Sequence, residues 1–319
     1  MAIAVKIDEN IELMEVIAYL IGEISDKSVY NKDIDKYFAL YKKHKAVKKI
    51  KQLLQKGLDV TALISFAVSL EYKKGSFVLR KKQSYLEKSD EFLALLADFY
   101  KVSSFHKFFK QHKVFYDKVC ADFNDVAQSL NEEWFRNFYG FSEKDDFLVL
   151  LLPVLQSFYD GAHLVGYNKV DKKQIIQRLI YGYNYVFINS FLKDSLNKAS
   201  ELQALAEELF KFSAWAMKQQ GIDNWQLMIK SYLACAASNV YMQENQFTKQ
   251  EIREDIINSF SRGFYLMPEL VGYFNKYRYC RDRFKTFPDF FSELVGFFAR
   301  HTQREIKRVD EIANTILEV

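Results

Sequence analysis

Only 3 of the 319 residues are proline and 11 are glycine. Both residue types punctuate turns and interrupt helices, so their scarcity predicts long helices joined by short loops. Apolar side chains make up 49% of the chain and charged ones 27%, which allows a sizeable core beneath an ordinary charged surface. The abundance of Phe (29) and Tyr (20) points to an aromatic core. The 45 basic and 41 acidic side chains leave a net charge of +4, too balanced to imply a polyanionic partner by itself. Cys120, Cys235 and Cys280 are odd in number and widely spaced, so they read as buried free thiols rather than a disulfide framework or a zinc ribbon.

Hydrophobic spacing fixes most of the elements. Ile11 to Ile21 reads as an amphipathic helix broken by Glu12 and Glu15, and Asp33 to Tyr41 as a short one. Val47, Ile50, Leu53 and Leu54 share a face closed by Gly57, and Val60 to Leu70 is apolar almost all round. Ser76 to Arg80 reads as a short strand or an extended crossing, and Val114 to Leu130 as one long helix. The character then changes. Phe147 to Leu152 is a β-type run limited by Pro153, and Ala162 to Val165 reads as a second strand. From Lys172 onward the chain is helical again: Lys172 to Asp194, Ala199 to Gln219 and Trp225 to Gln243, then a helix opened by the capping box Thr248-Lys-Gln-Glu251. Pro268 and Pro288 open two more, the second ending near Arg300 before a separate terminal helix. The expected fold is mainly α (α+β), a multi-helix globular protein with a small β-sheet near the middle. A soft boundary divides an N-terminal helical region, 1–168, ending in the sheet, from a C-terminal helical region, 169–319, unless the two form one continuous domain.

Met1 to Lys6 is not followed by a signal-type hydrophobic run, and Leu148 to Pro153 is too short to span a bilayer. No nucleophile elbow, phosphate-binding loop or dinucleotide fingerprint is present. Of the histidines His44, His106, His112, His163 and His301, only His163 is worth following as a reactive group, with nearby Asp160. The run Lys42-Lys-His-Lys45, continued by Lys48, Lys49, Lys51 and Lys56, reads first as a solvated helix face. Its alternative is a basic scaffold for an acidic partner or nucleic acid, of which nucleic acid is the less favoured because no recognisable module accompanies it.

The remaining feature is Ile180-Tyr-Gly-Tyr-Asn-Tyr-Val-Phe-Ile-Asn189 on the helix from Lys172. Its i, i+4 spacing puts Tyr181 and Tyr185 on one face. Gly182 inside a helix costs about 1 kcal/mol relative to Ala, which predicts close packing there. This stretch occurs in order with Asp33 to Phe38, Phe99 to Phe109, Trp134 to Gly140, Asn224 to Ile229, Arg262 to Tyr265 and Pro268 to Leu270. The set, spread over residues 5–300, resembles an uncharacterised bacterial family of zinc-metallopeptidase-like proteins with a His-Glu-x-x-His helix. The resemblance implies a gluzincin- or thermolysin-like architecture and an exported protein whose leader is absent here.

Carried across position by position, the resemblance puts the family's two histidines on Tyr181 and Tyr185, its general-base glutamate on Gly182, and a later glutamate ligand near Ser231. Zinc hydrolysis needs about three nitrogen, sulfur or carboxylate ligands and a base for the bound water. A phenol with a pKa near ~10 is a poor ligand, and glycine offers no carboxylate. The expectation is therefore a catalytically inactive pseudo-metallopeptidase with no metal or other cofactor. Its former site would be Tyr181, Gly182, Tyr185 and Ser231, with His163, Tyr183 and Tyr265 as cleft lining and a peptide or protein as partner. The alternatives are a hydrolase with a relocated site using His163 and Asp160, and the basic scaffold above.

Overall fold

The computed structural model describes residues 3–23, 28–58, 60–80, 89–143, 147–154, 164–166, 172–195 and 200–317. The chain divides into two compact units, one of residues 3–128 with 148–172, the other of 129–147 with 173–319 and the first two residues. Among the described residues it is mainly helical, with fourteen α-helices and five short strands. No helix among them is long and apolar enough to cross a membrane.

The first unit runs β1 (Ile3–Lys6), α1 (Glu9–Ile21), α2 (Val29–Tyr37), a 3-10 turn (Ala39–Tyr41), α3 (Lys45–Gln55), α4 (Val60–Val68), β2 (Leu70–Lys73), β3 (Ser76–Leu79), α5 (Ser89–Val102), α6 (Phe105–Gln111) and α7 (Lys113–Ala127). It also holds β4 (Phe147–Leu152), which starts at the boundary, and β5 (Leu164–Gly166). A three-stranded sheet has the order β1-β4-β5, and β4 and β5 run parallel with Leu150 opposite Leu164. The small central sheet is thus present, with an N-terminal strand that periodicity did not reveal. Ala162 and His163 lie outside the described residues. The strand read at Ser76 is one arm of an antiparallel hairpin, β2 against β3. Lys74 and Gly75 make its turn at φ +50° and +84°, the pair of positive angles that matches strand twist.

Two side chains read as interruptions of α1 are core residues. Glu12 and Glu15 are both 0% exposed. Burying a carboxyl is costly without partners, and Glu12 has them: the Tyr30 hydroxyl donates to its Oε1, a hydrogen bond also joins it to Glu15, and the Tyr116 hydroxyl lies 2.5 Å from that of Tyr30. Around this cluster pack Ile34, Phe38, Phe99, Phe105 and Phe108, all fully buried.

The second unit holds α8 (Glu132–Tyr139), α9 (Lys172–Ser195), α10 (Ser200–Lys218), α11 (Trp225–Glu244), α12 (Lys249–Ser261), α13 (Met267–Tyr279) and α14 (Phe287–Leu317). The capping box forms as expected, Thr248 accepting from the Glu251 N–H and Glu251 from the Thr248 N–H. The two terminal helices expected after Pro288 are one helix of 31 residues. Nothing between Phe297 and Leu317 breaks it, since the stretch holds neither glycine nor proline. Of the thiols, Cys235 is buried while Cys120 and Cys280 are only partly so.

The end of α8 is held by α13 and the turn after it. Its last carbonyls would be left without partners in the helix. Arg281 donates to the carbonyls of Phe138 (2.8 Å) and Asn137 (3.0 Å), and the Tyr277 hydroxyl donates to Phe138 (2.6 Å). Gly140 then turns the chain at φ +74°, and a Cβ there would meet Lys285 O and Thr286 Cα at 2.8 Å. All three tryptophans, Trp134, Trp215 and Trp225, belong to this unit.

Candidate functional site: a tyrosine-filled polar seam

The helix α9 buries Ile175, Leu179, Ile180, Tyr183, Phe187, Ile188 and Leu192, a face repeating at helical spacing. Helix α11 starts at Asn224, whose side chain accepts from the Leu227 N–H at 2.9 Å. It is buried at every position from Ser231 to Met242. Polar residues that fall on such a helix must find partners inside, and they do. Asn184 of α9 donates to Ser238 (3.2 Å) and accepts from the Tyr139 hydroxyl (2.8 Å).

Three of the four positions singled out by the resemblance, Tyr181, Tyr185 and Ser231, meet beside this pairing, with Gly182 in the same turn. The Tyr181 hydroxyl donates to Ser231 Oγ at 3.2 Å. The rings of Tyr181 and Tyr185 lie 6.0 Å apart, and Gly182 is buried next to Tyr181. Ser231 is 4% exposed.

The seam continues one turn along α11. Cys235 there is hydrogen-bonded through its thiol to Ser259. Asn239 donates to Asp255 at 2.8 Å and to the Cys235 carbonyl at 3.0 Å. Arg262 reaches Ser259 Oγ at 3.4 Å. Cys235, Asn239, Asp255, Ser259 and Arg262 were not singled out from sequence. A signal was available: Ser231, Cys235 and Asn239 recur every four residues, a polar stripe along one side of α11.

Burial dominates the electrostatics. It pushes the Tyr181 phenol well above its ordinary pKa, the nearby Cys235 thiol adding to the effect and the Ser231 hydrogen bond opposing it. It pushes the Cys235 thiol up to about 12, with Arg262 pulling the other way. Asp255 is also raised by burial, against its Asn239 bond and the Arg262 charge. At neutral pH the seam therefore presents a neutral phenol and a neutral thiol. Neither is an anionic ligand or an activated nucleophile.

A zinc ion does not fit these residues. The four positions supply two phenols, a glycine and a hydroxyl, and the one soft donor close by is a thiol held protonated. Among the described residues no group of three or more His, Cys, Asp and Glu is gathered in a way that could hold a metal ion.

Two of the three expected lining residues, Tyr183 and Tyr265, are among the described residues. Tyr183 lines a shallow recess with Glu132, Phe135, Arg136, Ser142, Glu143 and Phe187; its hydroxyl is 3.4 Å from Glu132 Oε1. Tyr265 packs against Phe212 and Phe260. His163 and Asp160 fall outside the described residues.

Residues 142–297 match the model of a family described as a domain of unknown function (DUF4932). That span contains Tyr181, Gly182, Tyr185, Ser231 and the rest of the seam, so this part of the chain is similar to an uncharacterised domain. No curated protein and no solved structure matches the chain.

Proposed function

We propose that the chain is a catalytically inactive pseudo-metallopeptidase, gluzincin-like in its helical frame, that acts as a binding or interaction module. The observation that carries this reading is the Tyr181–Ser231 hydrogen bond. Two positions that the resemblance makes metal ligands are bonded to each other as neutral hydroxyls, and Asp255, the seam's carboxylate, accepts from Asn239. The recess beside Tyr183 supports the binding half. It is too shallow for a small-molecule site, but Arg136 with Glu132 and Glu143 around it offers both signs of charge to a partner's surface.

Elemental analysis of the purified chain tests the first half: the reading predicts no stoichiometric zinc and no cleavage of a mixed peptide library. About one equivalent of zinc, lost to a chelator together with peptidase activity, overturns it. Panning a displayed peptide library tests the second half. Enriched peptides should lose affinity for Arg136→Glu, whereas failure to enrich any peptide removes the support for a binding role.

A further inference from the structure

The first unit carries a second feature, independent of the seam. Between Lys42 and Lys56 the chain holds seven lysines and one histidine and no acid. In α3 the buried residues Ala46, Val47 and Ile50 take one side. Lys45, Lys48 and Lys49, spaced i, i+3 and i+4, take the other, and Lys56 follows as the C-cap. Lys42, Lys43, Lys45, Lys48, Lys51 and Lys56 are exposed. Among the described residues, only Lys42 of the seven forms an ion pair, with Asp35 at 2.7 Å.

Helix stability does not account for this placement. Lys42, Lys43 and Lys45 crowd the N-terminal end of α3, where the helix dipole disfavours positive charge. The cap there is a histidine, His44, whose Nδ1 accepts from the Ala46 N–H at 3.1 Å while its Nε2 faces Asp98. Three lysines at a helix start are an arrangement that the fold tolerates rather than gains from.

An apolar knob sits in the same place. Leu40, two residues before Lys42, is 90% exposed. Its neighbour Tyr41 donates to the Val102 carbonyl at 2.9 Å, which brings the half-exposed Val102 and the exposed Lys101 alongside. Tyr37 donates to the Ser104 carbonyl at 3.3 Å, fixing the start of α6 with its exposed Lys107 and Lys110 to the same edge. No arginine occurs from Lys32 to Lys56. Lysines act as point charges, without the bidentate geometry by which arginines read particular phosphates or bases. A projecting leucine followed in the chain by Lys42, Lys43 and the lysine face of α3 fits a diffuse anionic surface with an apolar layer beneath it.

We propose that the Leu40 turn and the lysine face of α3 form a docking surface for anionic phospholipid membranes, the lysines held at the headgroups and Leu40 inserted between them. Nucleic acid satisfies the lysines but leaves Leu40 in water, and so is the less favoured partner.

Co-sedimentation of the full chain with phosphatidylcholine vesicles, with and without phosphatidylserine, tests this. Binding is expected only with phosphatidylserine and should vanish at high salt. Each Lys→Glu change among Lys43, Lys45 and Lys48 should weaken it about fivefold or more. Leu40→Ser should weaken it about tenfold while leaving retention on a heparin column unchanged. Lys45→Glu adds a negative charge at a helix start and is expected to raise thermal stability, so lost binding in that variant is not unfolding. No sedimentation with phosphatidylserine vesicles at low salt, or full binding by Leu40→Ser, overturns the proposal. Low-salt binding to a duplex oligonucleotide without vesicle binding assigns the face to nucleic acid instead.

Discussion

Tyr181 of α9 and Ser231 of α11 are joined by a hydrogen bond of 3.2 Å, hydroxyl to hydroxyl, inside the second unit. Tyr181→Phe removes the donor and leaves the ring. It should lower unfolding stability by about 1 kcal/mol, the usual net value of such a bond. Urea midpoints followed by tryptophan emission measure this, because all three tryptophans report on that unit. A loss near zero would mean that the Ser231 hydroxyl is equally well served by another partner.

Restoring the four family residues, Tyr181→His with Gly182→Glu, Tyr185→His and Ser231→Glu, tests whether the frame is that of a peptidase. The variant is expected to take up about one equivalent of zinc and to melt at higher temperature with zinc than without, since metal bound only by the native state stabilises it. Should it fold by circular dichroism yet gain no zinc, the positional correspondence is wrong. If it does not fold, the double variant Tyr181→His with Tyr185→His, which leaves Gly182 and Ser231 in place, decides by whether it binds cobalt.

The first unit should lose stability as pH rises through neutrality. Burial lifts Glu12 from 4.5 to about 7, against the opposing hydrogen bonds of Tyr30 and Glu15. A group raised in the folded state contributes fully below pH ~4.5, progressively less toward 7, and nothing above. The change between pH ~4.5 and ~8 is on the order of 2–3 kcal/mol. Tyr30, Tyr116, Glu15 and Glu9 share this neighbourhood, so the group titrates as a set. Glu12→Gln should flatten the profile in far-ultraviolet circular dichroism, which sees both units. Parallel profiles for the two proteins would remove Glu12 from the account.

Gly140→Ala should cost about 2–4 kcal/mol, because the added Cβ meets backbone atoms at 2.8 Å and the residue must hold a positive φ. Thermal unfolding by tryptophan emission reads the loss; a midpoint within a degree or two of wild type would show that the turn relaxes freely.

Arg281→Met keeps the stem and removes the charged donors from the end of α8. With the carbonyls of Asn137 and Phe138 losing a guanidinium, the expected cost is about 2 kcal/mol. Arg281→Lys should recover only part of it, since one ammonium cannot span both carbonyls as the fork does.

Sequence revealed some of these features and hid others for identifiable reasons. Gly57 after α3, the Thr248 box before α12 and Pro288 at the start of α14 are chemical markers tied to single positions, and each marks an element boundary in the structure. The strand β1 has four residues and β2 follows α4 after a single residue, so neither stands apart as an alternating run, and Lys74-Gly75 lacks the usual asparagine or aspartate of such a turn. Glu12 is buried with Tyr30, 18 residues along the chain, as its partner, and Tyr30 in turn meets Tyr116, 86 residues further on, contacts that no local pattern contains. In the candidate site, the shared face of Tyr181 and Tyr185 follows from their i, i+4 spacing on one helix. The meeting of Cys235, Asp255 and Arg262 does not, because two helices and a turn must fold before they meet.

The guanidinium that closes α8 comes from a residue 143 positions further along the chain. On the ribosome, the carbonyls of Asn137 and Phe138 are therefore made long before their donor exists. Until α13 and the turn after it have emerged, that helix end must borrow water or a chaperone, and any nascent chain stalled before Arg281 carries an unfinished second half.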